Sequence, residues 1–278
     1  MTPEAAPQPA PQPDAPPPPP ALPRRTGRIR QLVTLFRRYL AGFASEPTVV
    51  ACGACALLII SHYQGNTGYF RTLVGDRFDK HPAANVLGHF WWFGSSLLLY
   101  LVVPLVLSVA TKGSFHRRYG FGLGNWRQGL LITAVFLAVM LPAAFVASKL
   151  DAFKGIYPLA GNSAFMLNVD GQSVTSVKLF VLYELCYFAY FVGWEFLFRG
   201  WMLNGLLPKL GRTAAVLLQM APFAIMHLGK AELEALGSIV AGIALGILAL
   251  RTRSFWYGAL LHGLVAVFMD VISAWKWL

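Results

Sequence analysis

Gly193-Trp194-Glu195-Phe196-Leu197-Phe198-Arg199-Gly200 lies midway along an apolar run, 178–207, and its reading decides the fold. A carboxylate and a guanidinium inside a segment long enough to cross a bilayer are costly to hold there, so they mark function by default. Their spacing of four, acid first, puts both on one helix face in the favourable orientation for an ion pair. Glu184 stands eleven residues earlier, about three turns at 3.6 residues per turn, and so shares that stripe. Taken alone, such a pair serves equally well as structural glue within a bundle. What lies further along the chain tips the reading.

Working outward, seven apolar segments come into view: 47–63, 86–110, 128–148, 178–207, 213–229, 236–250 and 255–275. Composition agrees with them. The 278 residues are 56% hydrophobic and only 13% charged, with mean hydropathy +0.55, which excludes an ordinary water-soluble domain. The sequence therefore predicts an all-α, polytopic transmembrane bundle over 46–278. It has about seven helices, or eight if a tilted or re-entrant segment hides one. The first segment is short enough to be re-entrant, and the fourth is long enough to tilt or project. Ser238, Gly242 and Gly246 repeat every four residues along the sixth segment, a spacing that lets helix backbones approach.

The net charge of +11 raises the question of nucleic acid. The distribution answers it. Lys112, Arg117 and Arg118 follow the second segment, Lys209 and Arg212 the fourth, Arg251 and Arg253 the sixth. The alternate loops mix signs: Asp76 and Asp79 with Arg77 and Lys80, Asp151 and Asp170 with Lys154, Glu232 and Glu234 with Lys230. That is the positive-inside pattern of an integral multi-pass protein of the cell (inner) membrane, with a cytoplasmic amino end and an outer carboxyl end. Membrane lipids, not nucleic acid, are the expected partners. Residues 1–23 are mostly Pro, Ala and Gln, which favour polyproline II and cannot build a core, so a disordered tail is expected. Residues 24–45 interleave Arg24, Arg25, Arg28, Arg30, Arg37 and Arg38 with Leu32, Val33, Leu35, Phe36, Tyr39 and Leu40. This reads as a basic amphipathic segment pressed on anionic headgroups. Cys52 and Cys55 have CxxC spacing without a second pair, inside an apolar stretch, and read as packing residues.

Depth ties the ionisable residues together. With the fourth helix ending near Leu207, Glu195 lies about 18 Å above that end at 1.5 Å per residue. His227 lies about 22 Å above the start of the fifth helix near Arg212 by the same rise. The turn between them, Pro208 to Gly211, is short, so the two helices are expected to be antiparallel neighbours. His262 lies about 12 Å into the seventh helix. One glutamate and two histidines at compatible depths suggest a site inside the membrane, with Pro222 as a source of a kink.

Glu195 through Arg199-Gly200, then Phe223-Ala224-Ile225-Met226-His227, then His262, resemble the three motifs of the CAAX protease and bacteriocin-processing (CPBP) family. These are intramembrane glutamate-dependent endopeptidases related to the type II prenyl-protein proteases. Tyr119-Gly-Phe-Gly-Leu-Gly-Asn-Trp-Arg127 also looks like the family's approach to its core, so the resemblance runs from about Tyr119 to Asp270. It implies a carboxylate that activates water, one histidine that shares the work, and another that stabilises the oxyanion. Glu195, His227 and His262 are the expected catalytic set, supported by Arg199, Glu184 and Asp270. No cofactor and no metal are implied. The implied substrate is a prenylated or membrane-embedded peptide.

Two positions depart from the family pattern. Trp194 stands where the motif opens with a first glutamate, the one usually assigned as base. Ala266 stands where Asn or Asp usually follows the last histidine. Either Glu195 or Glu184 then supplies the base, with Asp270 replacing the missing residue, or the chain is a non-catalytic relative. Such a relative would bind or protect a membrane peptide, as an immunity or assembly factor does. A zinc site of Glu195, His227 and His262 is the third reading.

Overall fold

In a computed structural model of the chain, the described residues are 28–43, 45–75, 84–109, 118–169 and 172–274. The proline-rich tail 1–23 lies outside them, as do Lys112, Arg117 and Asp170. Residues up to Ala44 form a unit of their own. Within it, α1 (Arg28–Phe43) carries Leu32, Val33, Leu35, Phe36, Tyr39 and Leu40 exposed. At 100° per residue these six fall in one arc, and Arg30, Arg37 and Arg38 fall in the opposite one.

The second unit is helical. It comprises α2 (Glu46–Gln64), α3 (Thr67–Val74), α4 (Ala84–Leu97), α5 (Val103–Val109), α6 (Trp126–Ala147), α7 (Asp151–Lys154), α8 (Val177–Glu195), α9 (Leu203–Ile225), α10 (Glu232–Thr252) and α11 (Trp256–Ala274). Two π-helical turns, Leu98–Val102 and Phe196–Met202, join α4 to α5 and α8 to α9 without interrupting the helical path. A small antiparallel hairpin, β1 (Met166–Val169) with β2 (Gln172–Thr175), sits between α7 and α8. Nothing in the hydropathy pattern had announced it.

Six helices are long and apolar enough to cross a bilayer among the described residues, and α2 is one of them, so the first segment is long enough to span. The longest, Val177–Ile225, has 49 residues. Straight, it would measure about 74 Å at 1.5 Å per residue, over twice a hydrocarbon core of about 30 Å. It is not straight. Gly211 takes φ 74, a left-handed conformation that glycine adopts without penalty, and breaks it there. Trp194 lies 17 residues before this break and His227 16 after it, yet their rings are 6.0 Å apart. The run is therefore a hairpin of two antiparallel crossings, which makes seven among the described residues. The lipid-facing side is plain on α6, where Leu131, Val135 and Val139 are 59–65% exposed. Apolar exposure on that scale belongs in hydrocarbon, and the protein is an integral multi-pass membrane protein.

The core lies between α4, α8, α9 and α11 and is rich in aromatic rings, among them Phe93, Tyr187, Phe196, Phe198, Trp201 and Phe223. The small-residue stripe of α10 does what its spacing suggests. A Cβ at Gly242 would stand 2.8 Å from Met220, and one at Gly246 2.9 Å from the Gln219 amide. In the space so gained, Gln219 Nε2 donates across to Gly242 O at 2.8 Å. At one end of the bundle, 118–125 docks on the corner between α10 and α11. Phe255 N donates to Gly120 O, Asn125 N to Thr252 O and Tyr257 Oη to Leu123 O. Arg118 and Tyr119 both reach Glu46 there.

Candidate active site

The π turn Phe196–Met202 begins immediately after Glu195 and widens the helix where the ion pair sits. Asn204 Nδ2 donates to Arg199 O and Gly200 O, adding side-chain bonds to the wider turn. Glu195 and Arg199 are both 0% exposed. Arg199 Nη1 donates to Glu195 Oε1 at 2.9 Å, as the spacing of four predicts. His262 Nδ1 donates to the same oxygen at 2.8 Å. The guanidinium also lies 4.0 Å over the Phe223 ring, a cation–π contact in a dry setting. Glu195 Oε2 points at the backbone of α11, where a Cβ on Gly258 would stand 2.7 Å from it. Only glycine leaves room for that carboxylate.

His227 is not in the fifth apolar helix, as its hydropathy suggests. α9 ends at Ile225, and His227 occupies the turn beyond, with Met226 N still bonding Pro222 O. Its Nδ1 donates to Phe223 O at 2.7 Å. Burial, reinforced by His262, holds this imidazole on the neutral side of its ordinary range. The rings of His227 and His262 stack at 14° with centroids 6.1 Å apart. The Trp194 ring meets both edge-on, at 6.0 and 6.5 Å.

These three side chains border a cavity of about 570 Å³, within the range of small-ligand sites. Its walls are largely apolar: Phe136, Met140, Tyr187, Tyr190, Phe191, Leu245, Leu261 and Ala266. Met140, Leu233 and Val240 are on its wall and also 40–70% exposed, so it opens towards lipid between α6 and α10.

Of the residues picked out by sequence, Glu195, Arg199 and His262 come together as one cluster, and His227 joins it across the cavity. Glu195 does not border the cavity; Trp194 does. Glu184 shares the stripe but not the site. It is buried, and neither of its oxygens has a hydrogen-bond partner among the described residues. Asp270 does not turn towards His262 either. Both its oxygens accept from Leu159 N, at 3.0 and 3.2 Å, pinning the 157–161 loop. Sequence reasoning missed three residues that border the cavity beyond His227. The Tyr157 hydroxyl donates to both oxygens of Glu234, at 2.8 and 2.9 Å. Lys230 Nζ donates to the same hydroxyl at 3.1 Å and lies 4.6 Å over the Tyr157 ring. Burial pushes the Tyr157 hydroxyl up, as does the Glu234 charge, so it stays a donor. Burial pulls the Lys230 ammonium down, against Glu234 and Asp270. The i, i+4 spacing of Lys230 and Glu234 just after the second motif was the available signal.

Residues 176–268 match the family described as Type II CAAX prenyl endopeptidase Rce1-like. This segment belongs to the CAAX protease family. The match covers a third of the chain and holds all three motif segments, from the cap of α8 to the middle of α11. It does not extend back to Tyr119. At the level of the family it supports a CAAX protease-type function. No curated protein and no solved structure matches the chain.

Proposed function

We propose that this protein hydrolyses a peptide bond of a prenylated or membrane-embedded substrate inside the cavity. His227 and His262 act on the scissile group, and Glu195 acts through His262. One observation carries this reading: both imidazoles border the cavity with Nδ1 already engaged, leaving each Nε2 for chemistry. With Nδ1 held by Glu195, His262 carries an Nε2–H for a developing oxyanion as the imidazolium, whose charge the carboxylate counters. His227, tied to a carbonyl and neutral, suits the attacking water. Glu195 is an orienting group here rather than the base, because Oε1 already takes two donors and Oε2 faces Gly258. The same engagement argues against Glu195 as a third zinc ligand.

The basic loops mark the cytoplasmic end of the bundle in the cell membrane, and α1 lies on its anionic headgroups. Cleavage of quenched peptides, with and without a prenyl group, by protein in liposomes tests the reading. His227→Ala and His262→Ala each remove about 10²–10⁴-fold of turnover, the usual worth of a proton-transfer group, and a chelator changes nothing. Trp194 and Ala266 favour a second reading, a non-catalytic pocket that holds a membrane peptide. Folded wild type that binds a prenylated peptide saturably and cleaves none of the panel would establish that reading instead.

A further inference from the structure

The hydrolase reading leaves the cavity with two imidazoles and no carboxylate from the first motif. Four acidic side chains lie near it, and they differ in what each oxygen faces. Glu195 is sealed between Arg199, His262 and Gly258. Glu184 is buried outside the cavity wall, and Asp270 is spent on Leu159 N. Glu234 differs from these three. Among the described residues it is the acidic side chain that borders the cavity, which His227 also lines, and it is only partly buried.

We propose that Glu234 is the catalytic carboxylate that takes the proton from the attacking water, with His227 sharing that water. The assignment rests on the hydrolase reading above. Each carboxylate oxygen has two acceptor positions, so the shared bond from Tyr157 leaves lone pairs free on both. Glu234 sits in the first turn of α10, where Tyr157 fixes the carboxylate through both oxygens. The Lys230 ammonium neighbours both groups: its charge acts on His227 and on Glu234, across a turn closed by Lys230 N on His227 O. In the step, a water proton passes to a Glu234 oxygen while the water oxygen bonds the scissile carbonyl carbon. The resulting oxyanion accepts from Nε2–H of His262, which enters and leaves the step as the imidazolium with Nδ1–H on Glu195. Collapse breaks the C–N bond, and the proton held on Glu234 returns to the leaving amine. Water is the sole co-reactant, and the carboxylate is regenerated.

The test uses full-length protein in liposomes and the quenched peptide that wild type cleaves best, comparing wild type with Glu234→Gln, Glu234→Asp and Tyr157→Phe. Thermal unfolding reports folding of each. Glu234→Gln keeps an acceptor for Tyr157, so it is expected to fold and to lose about 10²–10⁴-fold in kcat with KM within about threefold. Glu234→Asp recovers part of the loss, and Tyr157→Phe costs about tenfold or less. Equal losses in Tyr157→Phe and Glu234→Gln would overturn the proposal by reducing Glu234 to a latch. So would a kcat for Glu234→Gln within about threefold of wild type, or a loss confined to KM. If Glu234→Gln fails to fold, Glu234→Asp decides alone: kcat equal to wild type overturns the role, and a selective kcat loss supports it. Wild type that cleaves no peptide removes the hydrolase reading and this assignment together. Wild type that cleaves while Glu234→Gln cleaves equally well removes the assignment only.

Discussion

Two carboxylates stand about one cavity, Glu195 behind its wall and Glu234 on it, and their surroundings give them opposite work. Glu195 is held by a guanidinium and an imidazole in a pocket with no exposure at all. Glu234 is held by one phenol and borders a cavity open to lipid. The first has its charge answered from within the protein, so it suits orientation. The second keeps acceptor positions turned towards whatever enters, so it suits proton transfer. Chemical identity is the same in both; the number of partners and the access of water separate them.

The largest expected effect breaks the sealed member. Arg199→Ala leaves the Glu195 charge buried without its ion-pair partner, and removing one member of such a pair costs about 3–5 kcal/mol. Thermal unfolding in detergent is expected to show a collapse of stability in Arg199→Ala. The open member is different: Glu234→Gln is expected to stay within about 1.5 kcal/mol of wild type, the net worth of one hydrogen bond. Equal destabilisation of the two variants would erase the distinction. A smaller effect follows from Gly258→Ala, whose Cβ would stand 2.7 Å from Glu195 Oε2. Overpacking of this kind costs about 1–3 kcal/mol. It would also tilt the carboxylate that holds His262, so kcat is expected to fall with it. A variant that unfolds at the wild-type temperature with unchanged kcat would show that the carboxylate is free to move, and therefore not sealed.

How much of this could be read beforehand divides along the same line. Hydropathy located the crossings, and the ordered motifs brought Glu195, Arg199, His227 and His262 together, because a local spacing of four and a short turn at Pro208–Gly211 constrain where the side chains meet. Periodicity gives the face of a helix, however, and not what packs against it. Glu184 shared a stripe with Glu195 but lies outside the cavity lining with neither oxygen bonded among the described residues, and Asp270 lay eight residues past His262 yet bonds the 157–161 loop. Tyr157, Lys230 and Glu234 went ungathered for the converse reason, the spacing of four between Lys230 and Glu234 being the one local sign. Their association joins a loop before α8 to the turn after α9, more than 70 residues apart, and each charge looks like ordinary loop polarity. Whether Glu195 borders the cavity depended on Trp194, one residue away, and no spacing rule ranks the two.

Tyr157→Phe probes the open member more gently. It removes one donor from Glu234 and one acceptor from Lys230 without changing volume appreciably. The expected cost is about 0.5–1.5 kcal/mol, read as up to about tenfold in kcat. Loss of folding instead would mean that the cavity's polar end is as structural as the Glu195 cluster.

The smallest expected effect comes from supplying what the motifs lack. Trp194→Glu with Ala266→Asn adds a carboxylate and an amide to the wall already shared by His227 and His262. If Glu234 is the working base, the cavity has its proton acceptor, and kcat per folded molecule is expected to rise no more than about threefold. A gain of tenfold or more, about 1.4 kcal/mol off the barrier, would show that the natural cavity lacks its carboxylate. Trp194 would then be the residue that converts a hydrolase into a pocket, and both carboxylates, the sealed and the open, would belong to the scaffold. Cleavage rates of wild type and the double variant on one prenylated peptide, normalised to folded protein, separate the two outcomes.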